Sequence, residues 1–192
     1  MDALILGTAG FFLYFIYDIN SVKWKLPALQ KFFAIGSLCV IVSTIWKLIE
    51  SYSIGRIKQP ILWMWIFAGM LFLALLIYTL FFALPFEETY LKESGMRMAY
   101  TEGMYGLCRH PGVLWFAGFY LCLWGITGSP SQGIFFVLMI LWNIFYVIFQ
   151  DLWTFPRTFI NYAEYKCRTP FLIPDRESIH VCVSTIKGLR RG

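Results

Sequence analysis

The sequence predicts an all-α polytopic membrane protein with about five transmembrane helices and a cytoplasmic pocket formed by its C-terminal half. Three observations carry the membrane assignment. Of 192 residues, 59% are hydrophobic, more apolar surface than a core of that size can hide. Only 14% are charged, against roughly 25% in soluble domains. The apolar residues fall in long runs, and the stretches between them hold most of the charge.

The runs place helices at about 3–17, 31–49, 61–84, 112–127 and 133–155. Spanning takes roughly 20 apolar residues. The third and fifth reach that easily. The first and fourth are short, and the first reads as re-entrant or tilted in a thinned region. It has no basic segment before it and no small-residue cleavage site after it, so it is expected to be retained. The chain reads as one membrane domain: three helices over 1–85, a core over 86–174 and a cytoplasmic tail over 175–192.

The formal charge is +5. The basic residues lie beside apolar spans, so membrane lipids with anionic headgroups are the expected partners and nucleic acid is not. Cys39, Cys108, Cys122, Cys167 and Cys182 form no Cys-x-x-Cys pair, and His110 and His180 are far apart. Neither a metal site nor a disulfide framework is expected. No ionisable residue is read mid-helix, which disfavours a transporter or channel subunit.

Lys and Arg placement sets the orientation. Lys23, Lys25 and Lys31 follow the first helix. Lys92, Arg97 and Arg109 follow the third. Arg157, Lys166, Arg168, Arg176, Lys187, Arg190 and Arg191 follow the fifth. Lys47, Arg56 and Lys58 are fewer and fall on the other side. The larger set is expected in the cytoplasm, with the C-terminus there and the N-terminus outside.

Chemistry concentrates where the fourth and fifth helices form a hairpin closed by Gly128-Ser129-Pro130-Ser131-Gln132. A hairpin returns the chain to its starting side, so Arg109, His110 and Pro111 should meet Gln150 and Asp151. Pro111 suits a first helical turn, whose free N–H groups favour negative charge. Downstream, Tyr162 and Tyr165 are three apart and share one helix face; Thr169-Pro170 ends that helix. Each residue also has a plain reading. Arg109 would be a headgroup anchor and His110 an interface residue. Asp151, Glu87 and Glu88 would be solvated helix ends, and the two tyrosines part of an interfacial aromatic belt.

The order of these blocks resembles the membrane methyltransferase superfamily of isoprenylcysteine carboxyl methyltransferase and the phospholipid N-methyltransferases. Gly103, Tyr105, Arg109, His110 and Pro111 match its first block, and Tyr162, Tyr165, Thr169 and Pro170 its last. The resemblance covers about 97–174. It implies a S-adenosylmethionine cofactor and a lipid-like or small apolar methyl acceptor. Cofactor contacts are implied for Arg97, Met98, Ala99, Tyr100, Tyr105, Arg109, His110, Pro111, Gly112 and Val113, and further for Gln150, Tyr162 and Tyr165. Catalytic positions are implied for Asp151, Gln150 and Tyr146. The chain departs from the family pattern in having Gln150 and Asp151 for a Glu pair, Tyr146 for an Arg, and Val113 for a Tyr. A non-catalytic relative that binds a lipid or membrane partner, and an NADPH-dependent sterol-reductase-like protein, remain as alternatives. On the catalytic reading, Asp151→Asn is expected to abolish transfer with little effect on stability.

Overall fold

The computed structural model describes residues 2–50, 60–83 and 97–189. Glu87 and Glu88, together with Arg56, Lys58, Lys92, Arg190 and Arg191, lie outside them. Among the described residues there is no strand, only one isolated bridge between Arg97 and Phe159. The helices are α1 (Asp2–Ile19), α2 (Pro27–Gln30), α3 (Phe32–Glu50), α4 (Pro60–Phe81), α5 (Met104–Leu107), α6 (Pro111–Thr127), α7 (Pro130–Phe149), α8 (Phe155–Thr158), α9 (Tyr162–Arg168) and α10 (Arg176–Leu189). Wider π-helical turns continue α1 over Asn20–Trp24 and α7 over Gln150–Thr154.

Among the described residues, four segments are long and apolar enough to cross a membrane: Asp2–Trp24, Pro27–Glu50, Ile61–Phe81 and Pro130–Thr158. The chain is an all-helical membrane protein. Helix α6 is the shorter apolar helix that closes the set. Side chains such as Phe67, 76% exposed on α4, face outward as a lipid-embedded surface requires.

The first helix is not short. It runs past the expected end at residue 17 because Asp18 and Asn20, polar enough to suggest a terminus, find partners inside the bundle. Asn20 is fully buried; its amide accepts from Leu26 N at 2.9 Å and donates to Leu26 O at 3.0 Å. The fifth predicted helix starts three residues early, since Pro130 occupies a first-turn position where its missing N–H costs nothing. Gly128, in the left-handed region at φ 59°, ends α6 by donating to Trp124 O.

The expected tail is an amphipathic helix, α10. Asp175 and Ser178 cap it reciprocally, through Ser178 N to Asp175 Oδ1 at 2.8 Å and Asp175 N to Ser178 Oγ at 3.0 Å. It packs on α5, where Gly106 faces Val181 and Cys182 and Gly103 N donates to Thr185 Oγ1 at 2.9 Å.

Two helix pairs, α1 with α3 and α4 with α6, are joined through α7. Phe11, Tyr120, Phe136 and Met139 form the centre of the core. A buried cross-helix polar contact there, between Thr44 Oγ1 and Tyr120 Oη at 2.6 Å, satisfies both hydroxyls.

Candidate functional site

Asp151 sits on the first turn of the π-helical segment that ends α7. A π turn lets one extra residue bulge from the helix, and such turns recur at functional sites. Its side chain is 6% exposed and is met by four side chains. Arg109 grips it with two donors, Nε to Oδ1 at 2.8 Å and Nη2 to Oδ2 at 3.3 Å. Lys166 Nζ lies 3.0 Å from Oδ2. Tyr162 Oη donates to Oδ1 at 2.6 Å, and His110 Nε2 approaches the same oxygen at 3.4 Å.

The hairpin of α6 and α7 thus brings the start of one beside the end of the other. The downstream segment joins them because α9 presents Tyr162, Tyr165 and Lys166 on one side. Arg109 also donates to Thr169 O at 2.6 Å and to Lys166 O at 3.3 Å, and its own N–H donates to Pro170 O at 2.9 Å. Tyr165 Oη donates to Tyr105 O at 2.6 Å. The two sequence blocks thus interlock around one carboxylate.

Asp151 is not a solvated helix end. A buried carboxylate with an arginine, a lysine, a tyrosine and a histidine around it is a structural hub, and removing it leaves Arg109 uncompensated. The expectation that Asp151→Asn spares stability is corrected accordingly. The hub also carries an excess of positive charge: one carboxylate faces both the Arg109 guanidinium and the Lys166 ammonium. Lys166, 34% exposed at its side chain, presents that surplus to the outside.

His110 is buried with its ring stacked on Phe155, centroids 5.6 Å apart, and edge-on to Phe171 at 5.2 Å. Burial lowers its pKa from the ordinary value, and the Asp151 contact opposes this only in part. Its folded pKa thus lies below its unfolded value of about 6.5. The stability from neutral His110 is fully present above that pH and is lost as pH falls toward and through the lowered value. His110→Gln should flatten the thermal-stability profile on the acid side. Parallel profiles for the two proteins between about pH 5 and 8 would contradict this.

Burial pushes the Tyr162 and Tyr165 hydroxyls upward, and for Tyr162 the hydrogen bond to Asp151 adds to it; both stay protonated donors. Burial pushes the Cys108 thiol up to about 11, which removes it as a nucleophile at neutral pH.

The remaining residues of the first block lie alongside. Segment 97–99 is pinned to 159–161: Ile160 N donates to Arg97 O at 3.1 Å, and the Asn161 side chain closes both hydrogen bonds of Ala99 at 2.7 and 3.0 Å. Arg97 and Met98 are exposed. Tyr100 and Tyr105 pack edge-on at 6.4 Å, and Tyr105 Oη donates to Thr79 O at 3.1 Å. Pro111, Gly112 and Val113 form the first turn of α6, with Val113 N bonded to His110 O. Gly103 holds φ 57°, and the space a Cβ would take is open.

Tyr146 and Gln150 turn away from the hub. Their side chains lie near Asp18 of α1, and Tyr146 stacks on Tyr14 at 5.3 Å. Asp18, buried in the last turn of α1, carries no signal of its own in the sequence. Sequence reasoning also passed over Lys166, although its spacing of four from Tyr162 marks the shared face. Phe155, Phe171 and Asn161 carried no signal of their own. Among the described residues no group of three or more His, Cys, Asp or Glu side chains is placed to hold a metal ion.

Comparison of the chain with family models, curated proteins and solved structures found no match.

Proposed function

We propose that the chain is an integral-membrane methyltransferase that uses S-adenosylmethionine to modify a lipid-like or small apolar acceptor at the cytoplasmic membrane face. The observation that carries this reading is the meeting of the two sequence blocks on Asp151, with Arg109 and Lys166 both against its carboxylate.

The residues present suit the cofactor. Its carboxylate needs a cation, and Lys166 and the exposed Arg97 supply two on one side of the bundle. Its adenine and sulfonium need aromatic faces, and Tyr100 and Tyr105 supply those beside the bare face of Gly103. When bound, the cofactor provides an electrophilic methyl group on a sulfonium. The chain's own part is to hold and to exclude water. Arg109 and Asp151 lock α6, α7 and α9 together and act as positioning residues, because their polar atoms are spent on each other and on backbone carbonyls. Phe155 and Phe171 enclose the His110 ring and keep that flank dry.

A thermal-shift screen tests the reading in detergent. S-adenosylmethionine and its demethylated product should each raise the melting temperature, and NADPH should not. A shift with NADPH alone would favour the reductase-like alternative. No shift with any of the three would favour a non-catalytic relative.

The same reading puts the hub on the cytoplasmic side. Lys23 and Arg157, which both lie over the Trp153 ring at 5.8 and 5.1 Å, share its end of the bundle, as the skew of basic residues requires. Cys167 is exposed whereas Cys108, Cys122 and Cys182 are buried, so Cys167 is the position to label. An impermeant thiol reagent should reach it only after the cells are opened. Labelling of Cys167 in intact cells would reverse the orientation.

A further inference from the structure

Helix α1 carries a buried acid that the methyl-transfer reading does not use. Asp18 is 4% exposed, within the apolar segment Asp2–Trp24. Among the described residues no cationic side chain pairs with it. Its surroundings are neutral: Thr154 Oγ1 donates to Oδ2 at 3.3 Å, and the side chains of Gln150 and Tyr146 lie near it. The Thr154 bond is beyond the usual N–H or O–H range, so that oxygen is weakly held.

The surroundings are aromatic. Tyr14 and Phe15 precede Asp18 by one helical turn and share its face. Tyr14 stacks on Tyr146 at 5.3 Å, and Phe15 meets Tyr146 at 5.5 Å and Phe149 at 5.1 Å. Both helices also change to π geometry at this level, over Asn20–Trp24 and Gln150–Thr154.

An isolated carboxylate inside an apolar span is costly, and neutral donors compensate it only in part. What would complete it is a cation. A hard metal ion asks for several oxygen ligands, commonly with more than one carboxylate, and this spot offers one carboxylate. Aromatic faces around a carboxylate are instead the chemistry that receives an organic ammonium group. Asp18 lies within an apolar membrane-spanning segment, so a ligand that reaches it carries its ammonium on an apolar chain.

We propose that Asp18, together with Tyr14, Phe15 and Tyr146, forms a binding site for the ammonium group of a cationic amphiphile. The site is separate from the Asp151 hub and does not depend on methyl transfer.

The test uses the full chain in phosphatidylcholine nanodiscs, with protein-free nanodiscs subtracted. Two probes of one chain length are titrated: dodecylamine, charged at neutral pH, and dodecanol. Wild type should bind the amine saturably and the alcohol not at all. Asp18→Asn should weaken the amine by about tenfold or more, and Asp18→Glu should recover part of it. Equal binding of the two probes by wild type, or unchanged amine affinity in a folded Asp18→Asn protein, would overturn the proposal. Should Asp18→Asn fail to fold, the amine-to-alcohol comparison on wild type decides the matter by itself.

Discussion

Asp151→Asn should destabilise the protein by about 3–5 kcal/mol, the usual cost of breaking a buried ion pair from one side. The cost comes from what the substitution leaves behind. Arg109, 9% exposed at its side chain, would keep a buried charge with only carbonyl oxygens around it. Tyr162 would lose its acceptor, and the new amide would turn N–H donors toward cations. Replacing both ends of the pair, as Asp151→Leu with Arg109→Leu, should restore part of the loss, because two apolar side chains leave no unpaired charge. Lys166→Met should cost under about 1 kcal/mol, since its partly exposed ammonium is well screened. Thermal unfolding in detergent reads all three. An Asp151→Asn protein as stable as wild type would remove the hub from the account.

Gly36→Ala should cost about 1–3 kcal/mol, the range for overpacking a tight interface. Helices α1 and α3 touch backbone to backbone at this level. A Cβ on Gly36 would stand 2.7 Å from Gly10 O, and one on Gly10 would stand 2.8 Å from Gly36 O. A carbonyl cannot swing aside as a side chain can, so the helices must part. Small residues that permit such approach are a common device of membrane helix pairs. Gly112→Ala is the contrast: its methyl would meet Leu76 and Leu80 at 3.8 Å, an ordinary contact. That variant should stay within about 0.5 kcal/mol of wild type. Equal effects from the two alanines would contradict the close α1–α3 contact.

The apolar runs made the long helices legible, because in a membrane hydrophobicity alone marks a span. Their ends were less so. Asp18 and Asn20 look like a helix terminus until their partners are known, and those partners are Thr154 and Leu26, distant or across a turn. The meeting of Arg109 and His110 with Asp151 followed from hairpin length alone. The role of Asp151 did not, since a sequence does not show that Lys166 and Tyr162 close on the same carboxylate. Likewise Gln150, adjacent to Asp151, turns to Asp18 instead, because neighbouring residues on a helix project in different directions. Helix α10 was legible in principle from Asp175 and Ser178, the reciprocal cap, but its charged character reads first as a solvated tail.

Isothermal titration of the wild-type protein in nanodiscs with S-adenosylmethionine tests the central claim most directly. The account predicts saturable binding at one site per chain, weakened by Arg97→Ala, and displacement by the demethylated product. Absence of binding for both the cofactor and its product, with the protein folded and monodisperse, would contradict it.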